Sequence, residues 1–160
     1  MINRFITLDS PLNTRYEIYL LGALAETYRQ MGKCSLAESI YNKLLDITLV
    51  KGLTGWLCHA YLGLANLHIG SKSFDSEKTN KYLGMAKEIY NKSEQAWGQI
   101  NSDIVNLRAK RSLGELGEED MTAAIKIREH ASHLQYKYEA KILDDIINNR
   151  STDDYRLLFL

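Results

Sequence analysis

His130 and His133 stand three residues apart in a stretch of helical pattern, a spacing at which two imidazoles on one helix face can reach the same metal ion. Glu129 is adjacent, but no third ligand of suitable spacing accompanies them. The pair therefore reads as partly exposed structural residues, and no metal or other cofactor is expected. His68 reads as a packing residue with a satisfied ring nitrogen. The basic run Arg108-Ala109-Lys110-Arg111 could hold phosphate. It falls in the last turns of one helical stretch, however, and Glu118-Glu119-Asp120 opens the next, which is the charge order that helix dipoles favour. The run is expected to serve its helix. Asp144-Asp145 and Asp153-Asp154 are adjacent pairs that would point apart on a helix, so they are expected to be solvated rather than to share acid-base work. No Gly-rich phosphate loop, GxSxG elbow or HExxH pair occurs. The chain is expected not to be an enzyme.

Composition narrows the remaining classes. A chain of 160 residues with 45% hydrophobic content can bury one continuous core. Twenty basic residues balance twenty acidic ones, which removes the broad positive field that nucleic acid or an anionic membrane would need. Cys34 and Cys58 have neither a metal-site spacing nor the density of a secreted disulfide scaffold, so a reducing cytosol suits them. No basic-apolar signal segment opens the chain, and no apolar run reaches the roughly 18 residues of a membrane span. A soluble, cytoplasmic protein is expected, with a protein or peptide as partner and neither nucleic acid nor membrane.

The elements that must position any binding surface are helical. One Pro, ten Gly and almost no β-branched alternation favour an all-α class. Asp9-Ser10-Pro11 is a helix start, with the cap able to slide to Asn13, and the first helix is predicted from about Pro11 to Met31. Its apolar residues Leu21, Leu24, Ala25 and Tyr28 follow helical spacing, as do Ala37, Ile40, Tyr41, Leu44 and Leu45 in a second helix from Ser35 to about Leu49. Gly32 can take the left-handed conformation between them, and Ser35 with Glu38 forms a capping box. This is a helical hairpin, and it recurs. Forty residues on, Tyr61, Leu64, Ala65 and His68 fall on the positions of Leu21, Leu24, Ala25 and Tyr28. The second helix repeats at 42, with Thr79, Leu83, Ala86 and Ile89 over Ala37, Tyr41, Leu44 and Ile47, so the turn from Gly70 to Ser76 is longer by two.

The spacing of Ala25, Tyr28, Gly32, Ala37 and Tyr41 resembles the tetratricopeptide repeat, whose small, aromatic, Gly, Ala and aromatic positions are spaced alike. The resemblance covers roughly residues 18 to 92, and its long repeat is similar to the subclass found in sensor and adaptor proteins. A third, degenerate hairpin follows. Ser93 with Glu94 can start its first helix, whose stripe is Trp97, Ile100, Ile104 and Leu107, with Gly114 or Gly117 as its end. Its second helix spans about Asp120 to Leu134, and Arg128 sits where the aromatic belongs. The expected fold is thus a short right-handed α-solenoid of three hairpins, approximately 11–49, 53–92 and 93–134, with a capping helix at 136–149.

In that family the first helix of each hairpin lines a concave binding surface. Carried onto the matched positions, this implies Tyr19, Gly22, Glu26 and Arg29, then His59, Leu62, Asn66 and Ile69. By periodicity alone, Gln99, Ser102, Asn106 and Lys110 stand opposite the buried stripe of the third hairpin. Asn66, Gln99 and Asn106 can donate to and accept from a peptide backbone at once. The implied function is an adaptor or scaffold that recognises an extended peptide or partner helix without catalysis. Two rivals are a ligand-sensing portion of a larger signalling protein or ATPase, and a self-assembling module. The tail at 153–160, with Tyr155, Leu157, Leu158, Phe159 and Leu160, is too apolar to lie free in water. It is expected either to fold back over the last helix or to insert into a second copy or a partner.

Overall fold

A computed structural model describes residues 11–69, 74–93 and 95–157, with side chains from Thr14 onward. Among these residues there are seven α-helices and no strand: α1 (Pro11–Gln30), α2 (Cys34–Val50), α3 (Thr54–Asn66), α4 (Ser76–Ser93), α5 (Ala96–Leu113), α6 (Glu118–His133) and α7 (Lys137–Ile147). Residues 1–10 and the end of the tail, residues 158–160, lie outside the described residues.

Glycines end three of the helices. Gly32, Gly52 and Gly114 follow α1, α2 and α5 with φ of 70°, 65° and 72°, the left-handed geometry that closes a helix at little steric cost in a residue without Cβ. The starts are less regular. The Ser35 capping box does not form, because α2 begins one residue earlier and its N-cap, Lys33, makes no side-chain cap bond. Ser93 closes α4 rather than opening α5, whose N-cap is Gln95. The side-chain caps sit elsewhere: Asp75 accepts from the Lys78 N–H at 3.0 Å before α4, and Asp120 accepts from the Gly117 N–H at 3.1 Å before α6.

Each helix packs against the next in the chain, while α1 also meets α3, α3 meets α5, and α5 meets α7. The odd-numbered helices therefore form one row. Two apolar clusters hold the stack together. One joins Ile18, Ala25, Ala37, Tyr41 and Leu44 to Ala60 and Leu64, and the other runs from Cys58 and Leu62 through Leu83, Tyr90 and Ile104 to Leu143 and Tyr155. Ala25 and Ala37, the small residues on which the first hairpin was read, are both fully buried in the first cluster. Two aromatic rings lock into glycine gaps on the following helix: a Cβ on Gly63 would overlap the Tyr41 ring, and one on Gly98 the Tyr90 ring. Tyr41 and Tyr90 are fully buried, so neither ring has room to swing aside.

Candidate binding face

The row of odd-numbered helices carries a chain of polar contacts that converges on the segment returning from α7. Glu26, at the C-terminal half of α1, accepts from the Tyr41 hydroxyl and from Arg29, whose Nη2 lies 3.0 Å from Glu26 Oε2. Burial works to lower the Arg29 pKa, but the adjoining Glu26 carboxylate outweighs it and the net shift is upward. Held in this way, Arg29 donates to the main-chain carbonyl of Tyr155, and Gln30 Nε2 donates to the same oxygen at 3.2 Å. One turn of α1 thus reads a backbone carbonyl from 125 residues further along.

The Tyr155 ring enters between α5 and α7. Its hydroxyl donates to Asn101 Oδ1 at 2.7 Å, the Arg108 guanidinium lies 5.0 Å from its centroid, and Tyr138 stacks on it at 6.3 Å with an interplanar angle of 8°. Burial raises the Tyr155 pKa well above that of a free tyrosine, so the hydroxyl stays a donor. Asn101 is fixed in turn by donating to Trp97 O and to Glu139 Oε1, and Trp97 Nε1 donates to the same Glu139 oxygen at 2.9 Å. Arg108 donates to Asn66 Oδ1 on α3 and, through Nε at 3.1 Å, to Thr152 Oγ1. Asn66 is fully buried, and its Nδ2 has no hydrogen-bond partner among the described residues. Arg156 N–H donates to the Tyr138 hydroxyl at 2.7 Å, and Leu157 is buried beside the ring. Residues 150–157 therefore lie across α1, α5 and α7, with Asn66 of α3 reached through Arg108.

The expected binding surface divides under this arrangement. Glu26, Arg29, Asn66 and Ser102 are buried, not solvent-lining, and Gly22, Leu62 and Ile69 are buried too. The returning segment covers Arg29, while Ser102 donates back to Gly98 O within its own helix. Lys110 is drawn away to Asp120 at 2.6 Å, bridging α5 to the start of α6. Tyr19 and His59 belong to a half-buried aromatic row at the other end of the same face. Tyr19 packs edge-on to Trp56 at 4.8 Å, Trp56 meets His59 at 5.3 Å, and His59 stacks on Trp97 at 4.4 Å. Burial pushes the His59 pKa down to about 4, so its ring is neutral at physiological pH. Gln99 and Asn106 are partly exposed on α5.

Several chemical readings change with the side chains in view. Arg108 is not a solvated helix-end charge but a buried one, whereas Lys110 and Arg111 lie in the last turn of α5, as the dipole order favours. Asp145 is buried as well and pairs with Lys141 at 2.8 Å and Arg150 at 2.6 Å, whereas Asp153 and Asp154 are exposed. His130 and His133 are exposed on α6, and no group of three or more potential metal ligands occurs among the described residues. Among the described residues no helix is long and apolar enough to cross a membrane. The tail reaches α7 through the stacking of Tyr138 on the Tyr155 ring, while its carbonyl anchors lie on α1 and its hydroxyl partner and the Arg108 guanidinium on α5. Asn101 and Glu139 carry no signal in the sequence, which assigns Arg108 to its helix end rather than to this network. Tyr155 carried the one usable signal, a large aromatic in a tail too apolar to be free. No protein-family model matches the chain, and no curated protein or solved structure matches it either.

Proposed function

We propose that this chain is a noncatalytic binding module, a short solenoid of hairpins similar to tetratricopeptide repeats, which takes a peptide on the face made by α1, α3 and α5. The observation that carries this reading is the docking of residues 150–157 against α1 and α5 of that face. Arg29 and Gln30 grip a main-chain carbonyl rather than a side chain, which is how a surface holds a peptide of varied sequence. The Tyr155 ring supplies the buried aromatic anchor typical of binding hot spots. Asn66 Nδ2 is a spare buried donor beneath the segment, and the half-buried row of Tyr19, Trp56, His59 and Trp97 extends the face beyond it. On this reading the chain's own segment is a stand-in for the partner, and a partner peptide competes with it.

The test uses the full chain and a fluorescent peptide with the sequence of residues 150–160. Wild type, its face filled, should leave the peptide's anisotropy unchanged, whereas Tyr155→Ala, with its own anchor removed, should bind it saturably. Adding Arg29→Gln to Tyr155→Ala should weaken that binding about tenfold, the loss that goes with one charge-assisted contact. Circular dichroism of each variant monitors the helices. Helical Tyr155→Ala protein that ignores the peptide would show that residues 150–157 are core and not an occupant.

A further inference from the structure

Where α5 ends and the returning segment begins, a cavity of about 390 Å³ lies between Arg108, Arg111 and Ser112 on one side and Ser151, Thr152 and Asp153 on the other. Two guanidinium groups meet there, and among the described residues neither forms an ion pair. Arg108 is engaged by Asn66 Oδ1, Thr152 Oγ1 and the Tyr155 ring, and Arg111 by the Arg150 carbonyl and Asn149 Oδ1, all of them neutral. Other long cations nearby are matched: Arg29 has Glu26, Lys110 has Asp120, Arg128 has Asp144 and Arg150 has Asp145. Arg108 is only 4% exposed. Burial and the neighbouring Arg29 charge bring its pKa down to about 10, which still leaves it protonated at neutral pH. The Asp153 and Glu26 carboxylates act on the Arg108 charge without pairing with it directly, and a buried cation matched only at that range is costly, a cost that falls if an anion completes the site.

From this cavity we infer a binding site for a doubly charged tetrahedral oxyanion, either inorganic phosphate or a small phosphate monoester. The guanidinium forks of Arg108 and Arg111 suit phosphate oxygens, and the hydroxyls of Ser112, Ser151 and Thr152 can donate to those that remain. Asp153 is the one acid on the wall, and its Oδ2 accepts from Ser151 Oγ at 2.8 Å. Its charge opposes the ligand, so the lining is less favourable than it would be with a neutral residue there. The volume lies at the small end of ligand pockets and exceeds a water molecule's share of about 30 Å³ many times, which leaves room for a group beyond the phosphate. Because the walls come from α5 and from the returning segment, the anion fastens one to the other. This inference stands apart from the reading of the face as a peptide site.

The experiment is calorimetric titration and thermal melting of the full chain with inorganic phosphate, phenyl phosphate and acetate, at an ionic strength held constant with sodium chloride. Saturable binding is expected for phosphate or phenyl phosphate, with a melting point higher by roughly 3 to 6 °C at tenfold the dissociation constant. Tighter binding of phenyl phosphate identifies a monoester site, and equal or weaker binding a site for the free ion. Arg111→Gln, a change to a partly exposed residue, should abolish the rise, and Asp153→Asn should tighten binding about fivefold by removing the like charge. The inference is overturned if wild type shows no saturable binding, if acetate matches phosphate, or if Arg111→Gln gains the same stability, which would mark a general excluded-solute effect.

Discussion

Gly84→Ala and Gly98→Ala add the same methyl group to two helices, and the packing requires opposite signs. Gly84 lies in the middle of α4, exposed, with nothing within 4 Å of the position a Cβ would take. Alanine there gains helix propensity alone, about 0.5 to 1 kcal/mol. Gly98 lies in the first turn of α5, where the propensity gain is smaller, and its Cβ would overlap three carbons of the Tyr90 ring. Overpacking of a closed core costs about 1 to 3 kcal/mol, and a fully buried ring with no free volume belongs at the upper end, so a net loss of about 2 kcal/mol is expected. Urea unfolding followed by circular dichroism should place Gly84→Ala above wild type and Gly98→Ala below it. Thermal melts should separate the two by roughly 5 to 12 °C. In a Tyr90→Ala background the penalty at Gly98 should vanish or reverse, because the methyl group then fills vacated space, and a coupling of about 2 kcal/mol should appear in the double-mutant cycle. Gly98→Ala as stable as Gly84→Ala would mean that Tyr90 does not sit against α5, and the register of α4 on α5 would be wrong.

Two further predictions follow from buried titratable groups. The folded His59 pKa of about 4 lies below the unfolded value near 6.5, so the unfolded chain takes up its proton first and the stability present above pH 6.5 is lost as the pH falls toward 4. Between pH 7 and pH 5 wild type should lose about 1 to 2 kcal/mol that His59→Phe does not lose; parallel urea midpoints for the two proteins across that range would refute the assignment. Burial pushes the Cys58 thiol up to about 12, while Cys34 is half-buried at the start of α2. Alkylation at pH 8 should therefore modify Cys34 quickly and Cys58 only in denaturant, and equal native rates for both would show that α3 is not enclosed as described.

The elements were legible in the sequence because their periodicity is local. Observed ends of α1, α2, α6 and α7 fall within two residues of the expected ones; Gly32 and Gly52 mark the stops after α1 and α2, and Gln135 and Asn149 take the left-handed geometry after α6 and α7. The faces were harder. A helix with one wet side shows its stripe, but α3 is buried without a break from Ala60 to Asn66, and α5 buries Asn101, Ser102 and Arg108 along with its apolar residues. Polar residues on a helix enclosed on several sides look like a solvent face to a periodicity argument, and Ser102 reads in that way, while the family resemblance puts Asn66 on an open surface. Arg29 and Asn101 meet a partner far along the chain: Tyr155 lies 126 residues from Arg29 and 54 from Asn101. No spacing rule within a helix can express such a contact.

The energetics of residues 150–157 bear on what this face can do. Burying Tyr155 and Leu157 contributes about 3 to 6 kcal/mol, and roughly half a dozen hydrogen bonds at about 1 kcal/mol each add a similar amount. Ordering eight residues opposes this with about 8 to 12 kcal/mol, taking 1 to 1.5 kcal/mol for each. The two sums are of the same size, so the docked segment is held by a small difference between large quantities. A core helix, by contrast, cannot leave without exposing both of its packed sides. A partner peptide that offers the same carbonyl and aromatic contacts needs only a modest advantage to displace the segment, and an anion bound between Arg108 and Thr152 would shift the balance back by its own binding free energy. Occupancy of the face and occupancy of the cavity are then coupled with opposite sign, and by linkage each must weaken the other by the same factor.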